Sequence, residues 1–471
     1  MPKKATLLTV YQRLPQTNCG DCGEITCMTF ASKLLERKAT VEECPPLREA
    51  KFKQRAAELR ELVAPPIREI ELGSGERAVK IGGKEVVYRH ELALHNATAV
   101  AIDVSDTMDD ATIVARCKFV SDFKFERIGE KLTLQAVAVR CASGNADRFA
   151  QAVGLVSRSI DLPLVVCSLD PEVLRVAIEQ KGIPERKPLL YAATRDNWKD
   201  MASLAKQYNC PLVAFAPNDL KALKSLVRTI QKMGIEDIVL DPGLSPEGGK
   251  IKDSIENLVM IRRAGIQKED KDLAYPILLV PAVTWVGEAD EKAAAYRESY
   301  LASLLITRFA DMMILHSTEP WAILPVITLR QSAYTDPRKP VAVEPGVREL
   351  GSPDANAPVL LTSNFALTYY TVGNDLENQA VSCRLLVLNT EGLSVQASVA
   401  GGQFASSGVK DLIASTGVEG KVKHRKLIIP GMAARLSGDI EDQTKWEVIV
   451  GPRDSSEIKG FLEKHWEVAK A

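Results

Sequence analysis

The chain has 471 residues, 46% of them hydrophobic and 26% charged, with 60 basic against 61 acidic residues and a formal charge of −1. So even a balance removes any electrostatic case for nucleic-acid binding, and no run of about 18 apolar residues is present to cross a bilayer. The length is enough for about three domains with cores of their own. The polar opening stretch has no apolar segment of the kind an export signal needs, so the cytoplasm is the expected compartment.

Residues 1–62 form the first module. Four of the nine cysteines fall here, Cys19, Cys22, Cys27 and Cys44, spaced C-x2-C-x4-C-x16-C. Soft thiolates in so tight a set bind zinc or an iron–sulfur cluster. A structural zinc site usually shows two separate C-x2-C knuckles. Here there is one knuckle, a third cysteine at the expected start of a helix, and a fourth before Pro45-Pro46, which suits the four corners of a 4Fe-4S cubane better. Zinc and disulfides stay as alternatives. The five scattered cysteines (Cys117, Cys141, Cys167, Cys210, Cys383) point to a reducing compartment and so away from disulfides. Helical spacing is expected over 28–38, and again over 41–62 once past the prolines. A module this small needs a metal centre to hold it together.

Residues 63–92 read as a linker with short strands, broken by Pro65-Pro66 and turned at Gly73-Ser74-Gly75 and Gly82-Gly83. Residues 93–331 then alternate short apolar runs with amphipathic stretches. The runs are 97–104, 132–139, 162–167, 188–193, 211–215, 237–240, 276–280 and 312–315. Eight strand–helix repeats of continuous apolar strands predict a (β/α)8 TIM barrel. Its carboxyl-end face should carry Asp103, Asp106, Asp170, Asp241 and His316. Loop-top polar residues are often helix caps, and no paired base and nucleophile stands out.

Residues 332–471 form a third unit of α/β type. Four apolar strands end in loops rich in Gly, Ser, Thr and Asn: Thr362-Ser363-Asn364, Asn389-Thr390-Glu391-Gly392, Pro430-Gly431 and Gly451-Pro452. This predicts a Rossmann-like, doubly wound sheet with ligand-type loops at the strand carboxyl ends. No G-x-G-x-x-G opens a helix, so dinucleotide binding is not supported.

In this order the parts resemble the large (gamma) subunit of the corrinoid iron–sulfur protein of the acetyl-CoA synthase/CO dehydrogenase system. The likeness is carried by the cysteine pattern, by 187–194 (Lys187 to Thr194), Tyr334-Thr335-Asp336-Pro337, 362–370, 390–395, Ile428-Ile429-Pro430-Gly431 and Val450-Gly451-Pro452-Arg453. It extends over essentially the whole chain. The resemblance implies a methyl carrier. Corrinoid cobalt(I) takes a methyl group from methyltetrahydrofolate or another methyl-pterin and gives it to the nickel site of acetyl-CoA synthase, while the 4Fe-4S cluster at Cys19, Cys22, Cys27 and Cys44 re-reduces cobalt(II). It further implies corrinoid contacts at Thr362, Thr368, Gly392, Leu393, Ser394, Val395, Ala400, Gly431, Ala433 and Ser455. None of His90, His95, His316, His424 and His465 lies in a D-x-H-x-x-G context, so cobalt without a histidine lower ligand is expected. The implied partners are a small corrinoid-protein subunit in a heterodimer, a methyltransferase, acetyl-CoA synthase, and a reductive activator or ferredoxin. On this reading the barrel is a scaffold and no residue is an acid–base catalyst. An iron–sulfur barrel enzyme acting on a small molecule, and a zinc-stapled scaffold, are the rival readings.

Overall fold

In the computed structural model, residues 5–246, 248, 250–338 and 340–466 are described. The first four residues of the stretch read above as lacking an export signal lie outside them. No helix among the described residues is long and apolar enough to cross a membrane. Two compact units emerge: residues up to Lys124 with Thr133–Tyr334, and Phe125–Leu132 with the chain from Thr335 onward.

The first unit begins with helices Leu7–Tyr11, Cys27–Leu35 and Lys53–Val63 around a small core of Val10, Leu14, Phe30, Leu34, Leu47 and Leu59. The stretch 41–62, expected as one helix, is not one. Short 3-10 turns at Val41–Glu43, Pro45–Arg48 and Ala50–Phe52 precede the α-helix, with Cys44 and Glu49 in extended conformation between them. Prolines 45 and 46 have no N–H to give an α-helix, so the chain can only turn there.

Strands Glu69–Leu72 and Val79–Gly82 pair antiparallel. They lie at the amino-terminal end of the barrel: Gly73 abuts Pro163 and Gly82 abuts Pro276, the residues leading into the third and seventh barrel strands. The barrel strands are Ala99–Ser105, Ala136–Arg140, Leu164–Cys167, Leu189–Ala193, Leu212–Phe215, Ile238–Asp241, Leu278–Leu279 and Met312–Leu315, all parallel to their neighbours. A bridge from Leu240 to Ile277 joins the sixth to the seventh and closes the ring. The seventh strand is shorter than the apolar run 276–280 because Pro276 and Pro281 bound it. The run 132–139 also divides. Glu130–Thr133 pairs with Lys124–Arg127 across a turn at Ile128 and Gly129, both at positive φ, and the barrel strand begins only at Ala136.

In the second unit a five-stranded sheet runs in the order Gly346–Leu350, Cys383–Leu388, Val359–Ser363, Lys426–Ile429, Glu447–Val450. The edge strand Gly346–Leu350 is antiparallel and is not among the four apolar strands expected; the other four are parallel. Leu361, Leu386 and Leu427 face helices Val395–Gly401, Ser406–Thr416 and Ser437–Thr444, whereas Leu360, Leu385 and Ile428 face helices Ala366–Asn378 and Ile458–His465. Alternate residues of one strand therefore feed cores on opposite faces, as a sheet wound on both sides requires. The strand order reverses between Val359–Ser363 and Lys426–Ile429, which opens a crevice at their carboxyl ends.

Candidate functional site

In the cysteine module, Thr26 caps helix Cys27–Leu35 by accepting from the Thr29 N–H at 3.1 Å, so Cys27 is the first helical residue. The Asn18 side chain accepts from the Cys27 N–H at 2.8 Å. Gly20 and Gly23 sit at φ +80° and +81° with open space where a side chain would be, so glycine serves the backbone turn carrying Cys22 rather than any close approach. Cys27 and Cys44 are buried, Cys22 is half-buried and Cys19 is exposed. Burial pushes the Cys44 thiol up; the Leu47 N–H counters this, and the neighbouring Cys22, Cys27 and Cys19 reinforce it. Cys27 and Cys44 belong to the module's core, with Cys22 packed against it. Among the described residues no three Cys, His, Asp or Glu side chains are gathered as ligands of a single ion. An all-thiol donor set fits a soft metal group in its chemistry.

In the second unit, a cavity of about 400 Å³ opens at the carboxyl ends of the parallel strands. Thr362, Thr368, Ser394, Val395 and Ser455 all line it, brought together from three separate loops. Gly392, Leu393 and Ala400 do not line it but lie in or after the second of these loops, and Gly431 and Ala433, also outside the lining, lie in a fourth loop after strand Lys426–Ile429. Ala433 is fully buried in the core, and Leu393 O accepts from Thr390 Oγ1 at 2.7 Å. Gly431 is where two loops meet backbone to backbone: its N–H donates to Pro452 O at 3.0 Å, and a Cβ there would stand 2.8 Å from Gly451 O. Gly392 is left-handed, at φ +75°, with Pro340 against it. Asn364, absent from the sequence-derived set, ties the first loop to the second; its Oδ1 accepts from Thr390 N and Oγ1 at 2.9 Å and from Gly392 N at 3.0 Å. Leu367, Thr371, Gln396, Met432 and Arg453 complete the wall and also went unread, because a wall of mixed chemistry has no motif.

The cavity is suited to a large, partly apolar ligand. Leu360, Leu385 and Ile428 form its floor, and Leu367 and Met432 stand exposed at its rim. Thr362 Oγ1 and Ser363 Oγ are sealed from solvent without a partner. A buried hydroxyl left unpaired costs roughly 1–3 kcal/mol. Ser394 caps helix Val395–Gly401, and Ser455 donates to Asp375. His424 faces the Ala357 carbonyl at 3.0 Å, away from the cavity, and His465 ends the last helix.

On the barrel's carboxyl-end face, Asp170 and Asp219 are helix caps. Asp106 accepts from the Ala142 and Ser143 N–H groups at 2.8 and 3.0 Å, binding one loop to the next. Asp241 accepts from Gly243 N and Tyr191 Oη, each at 2.8 Å; full burial pushes it up to about 6 against those two bonds. Asp103 takes Arg116 at 3.3 Å, Arg140 at 3.2 Å and His316 Nδ1 at 2.5 Å. Burial raises the Asp103 carboxyl, but the His316 bond and the charges of His316, Arg116 and Arg140 outweigh it and hold it below the usual range.

A cysteine-bearing module, a closed barrel, and a strand-end cavity in a separate sheet describe a two-unit α/β protein. Residues 69–462 match the family model for the CO dehydrogenase/acetyl-CoA synthase delta subunit, and residues 14–46 match a putative Fe-S cluster family. The gamma 2 subunit of the acetyl-CoA decarbonylase/synthase complex of Methanosarcina thermophila is 49% identical over 98% of both chains. The gamma subunit of Archaeoglobus fulgidus is 48% identical over 98% of both, and that of Methanocaldococcus jannaschii 42% identical over 99% of this chain and 97% of its own. The chain belongs to the family of acetyl-CoA decarbonylase/synthase gamma subunits. A dihydropteroate synthase from Thermus thermophilus aligns with 56% of this chain and 99% of its own at a TM-score of 0.37 and 15% identity, too remote a likeness to carry an argument.

Proposed function

We propose that this chain is a methyl carrier, with a corrinoid seated in the strand-end cavity of the second unit and a 4Fe-4S cluster on Cys19, Cys22, Cys27 and Cys44. The carrying observation is the cavity at the point of strand reversal, with the unpartnered Thr362 Oγ1 in its wall. In this Rossmann-like unit, Thr362, Thr368 and Ser394 offer hydroxyls to amide side chains of the ligand. Gly392, Leu393, Gly431 and Ala433 shape the loops, and Ala400 and Ser455 flank them. Apolar Leu360, Leu385 and Ile428 exclude water from one side of the bound ring. When bound, the corrinoid supplies a low-coordinate cobalt nucleophile that accepts a methyl group from a methyl-pterin and passes it to a nickel centre; the protein's share is position and electronics. The cysteines would hold the 4Fe-4S cluster, which would supply the electron that returns oxidised cofactor to the cycle. The barrel serves as a scaffold. The partners on this reading are a small subunit, a pterin-binding methyltransferase, acetyl-CoA synthase and an electron donor such as ferredoxin.

The test is anaerobic purification of the chain co-produced with its small partner and a cobamide supply. About one cobalt and about four irons per chain are expected. Cobalt-free protein under those conditions overturns the corrinoid assignment, and one zinc without iron overturns the cluster.

A further inference from the structure

The amino-terminal end of the barrel buries more positive charge than negative. Arg262, on helix Lys250–Gln267, is 1% exposed, and Lys84, just past the strand pair that abuts this end, is 4% exposed. One carboxylate serves both. Asp311 directly precedes the eighth barrel strand and is fully buried. Its Oδ2 accepts from Arg262 Nη2 at 2.6 Å and from the Ile277 N–H at 2.9 Å, and its Oδ1 stands 3.5 Å from Lys84 Nζ. Neither cation has a second acidic partner among the described residues. Two buried cations against one carboxylate leave one positive charge uncompensated, and a buried charge is strongly unfavourable unless it is paired.

The imbalance falls on Arg262. Lys84 is satisfied by other means: its Nζ donates to His95 O and Asn96 O, each at 2.6 Å, and lies 4.4 Å from the centre of the Tyr334 ring. The Arg262 guanidinium donates only through Nη2, to Asp311 and to Phe309 O at 2.8 Å. Its Nε and Nη1 are closed off from solvent and have no partner among the described residues. The Phe309 ring, centred 5.8 Å from the guanidinium carbon, is an aromatic neighbour and no counter-ion. Buried donors of a charged group are almost always paired, so two unpaired ones on one side chain point to a missing acceptor.

A pocket of about 120 Å³ is bordered by both buried cations. Val87, Ile306 and Phe309 give it apolar walls, and no carboxylate lines it. Exposed Arg89, which holds the carbonyls of Ala333 and Ser332, adds a further positive charge at the wall. The volume admits only a few water-sized groups. Sign, size and the single excess charge together select a small ion of one negative charge.

We propose that this pocket holds a small monovalent anion, a short carboxylate or a halide, as the counter-ion of Arg262, and that its binding stabilises the folded barrel. The site lies wholly in the first unit, so it goes beyond the carrier reading and is independent of the strand-end cavity.

The test is urea unfolding of the full-length chain in chloride-free buffer, with sodium formate replacing sodium gluconate at constant ionic strength; gluconate is too large for the pocket. Wild type should bind one formate. Above the dissociation constant, each tenfold rise in formate should lower the unfolding constant about tenfold. Parallel series with acetate and chloride distinguish a carboxylate from a halide. Arg262→Met leaves Lys84 and Asp311 as a balanced pair and should abolish the dependence. Asp311→Asn keeps an oxygen acceptor but enlarges the excess charge, and should respond at about tenfold lower formate. Ordered water in place of an anion would give one and the same weak response in all three proteins, and that result overturns the proposal. Wild-type crystals soaked in sodium bromide carry the test if a variant fails to fold. An anomalous peak beside Arg262 is expected. No peak there, or a peak in a protein whose stability ignores the anion (an adventitious ion only), overturns the proposal.

Discussion

Gly431→Ala probes a point where two cavity loops touch backbone to backbone. A methyl group there meets Gly451 O at 2.8 Å, Arg453 N at 3.0 Å and Pro452 C at 3.0 Å, where ordinary contact begins at 3.4 Å. None of these atoms is the end of a flexible side chain, so the loops must part by several tenths of an ångström, weakening the Gly431 N–H to Pro452 O bond. Overpacking of this kind costs about 1–3 kcal/mol. Spent as loop separation, about 2 kcal/mol lowers ligand affinity by roughly 30-fold. Urea unfolding of the cofactor-free chain and cobalt content after reconstitution at limiting cobamide check the two halves of the effect. Gly438→Ala is the control, a helical glycine with open space around its Cβ, and should leave cobalt content unchanged. If Gly431→Ala matches wild type in both stability and cobalt loading, the cavity loops do not hold the ligand and the placement is wrong.

Gly392→Val should lower cobalt loading through the backbone, since a β-branched residue at φ +75° is strained and Pro340 already abuts the site; proteolysis of the loop should quicken in parallel. Cys22→Ala should lower iron content while cobalt loading stays near normal, and should slow reductive reactivation more than methyl transfer; equal loss of both would make the cluster a folding requirement. Asp311→Ala strands Arg262, which is 1% exposed and bonded to Asp311 at 2.6 Å, and should cost about 3–5 kcal/mol in urea unfolding. The buried Asp241 carboxyl, pushed up to about 6, favours the folded state fully below pH 4 and progressively loses that contribution as pH rises through 6. Asp241→Asn should therefore gain stability over wild type across that window, by an amount of the order of 3 kcal/mol at neutral pH. A pH-independent difference between the two proteins would show that Asp241 ionises at its ordinary value.

Much of this protein is written locally in its chain. Strands such as Ala136–Arg140 and Ile238–Asp241 are buried on both faces, so each appears as an unbroken apolar run, and eight such runs between amphipathic stretches dictate a barrel. The cysteine spacing is likewise local, and so are Thr26 and Gly20, which shape the turn and helix carrying it. What stayed hidden depends on chain segments far apart in sequence. Lys124–Arg127 and Glu130–Thr133 are short, polar and half exposed, so their pairing leaves no apolar signature. The edge strand Gly346–Leu350 hides for the same reason. The cavity wall joins Thr362, Ser394 and Ser455 across 93 residues, counted as 455 minus 362. Only the reversal of strand order gathers their loops, and only packing decides that Thr362 Oγ1 ends without a partner while Ala433 is taken into the core. The Asp103–His316 contact, 213 residues apart in the chain, exists because closing the barrel sets the first strand beside the eighth. Periodicity and spacing report what a segment is; which segments share a site is settled by the closure of the barrel and the winding of the sheet.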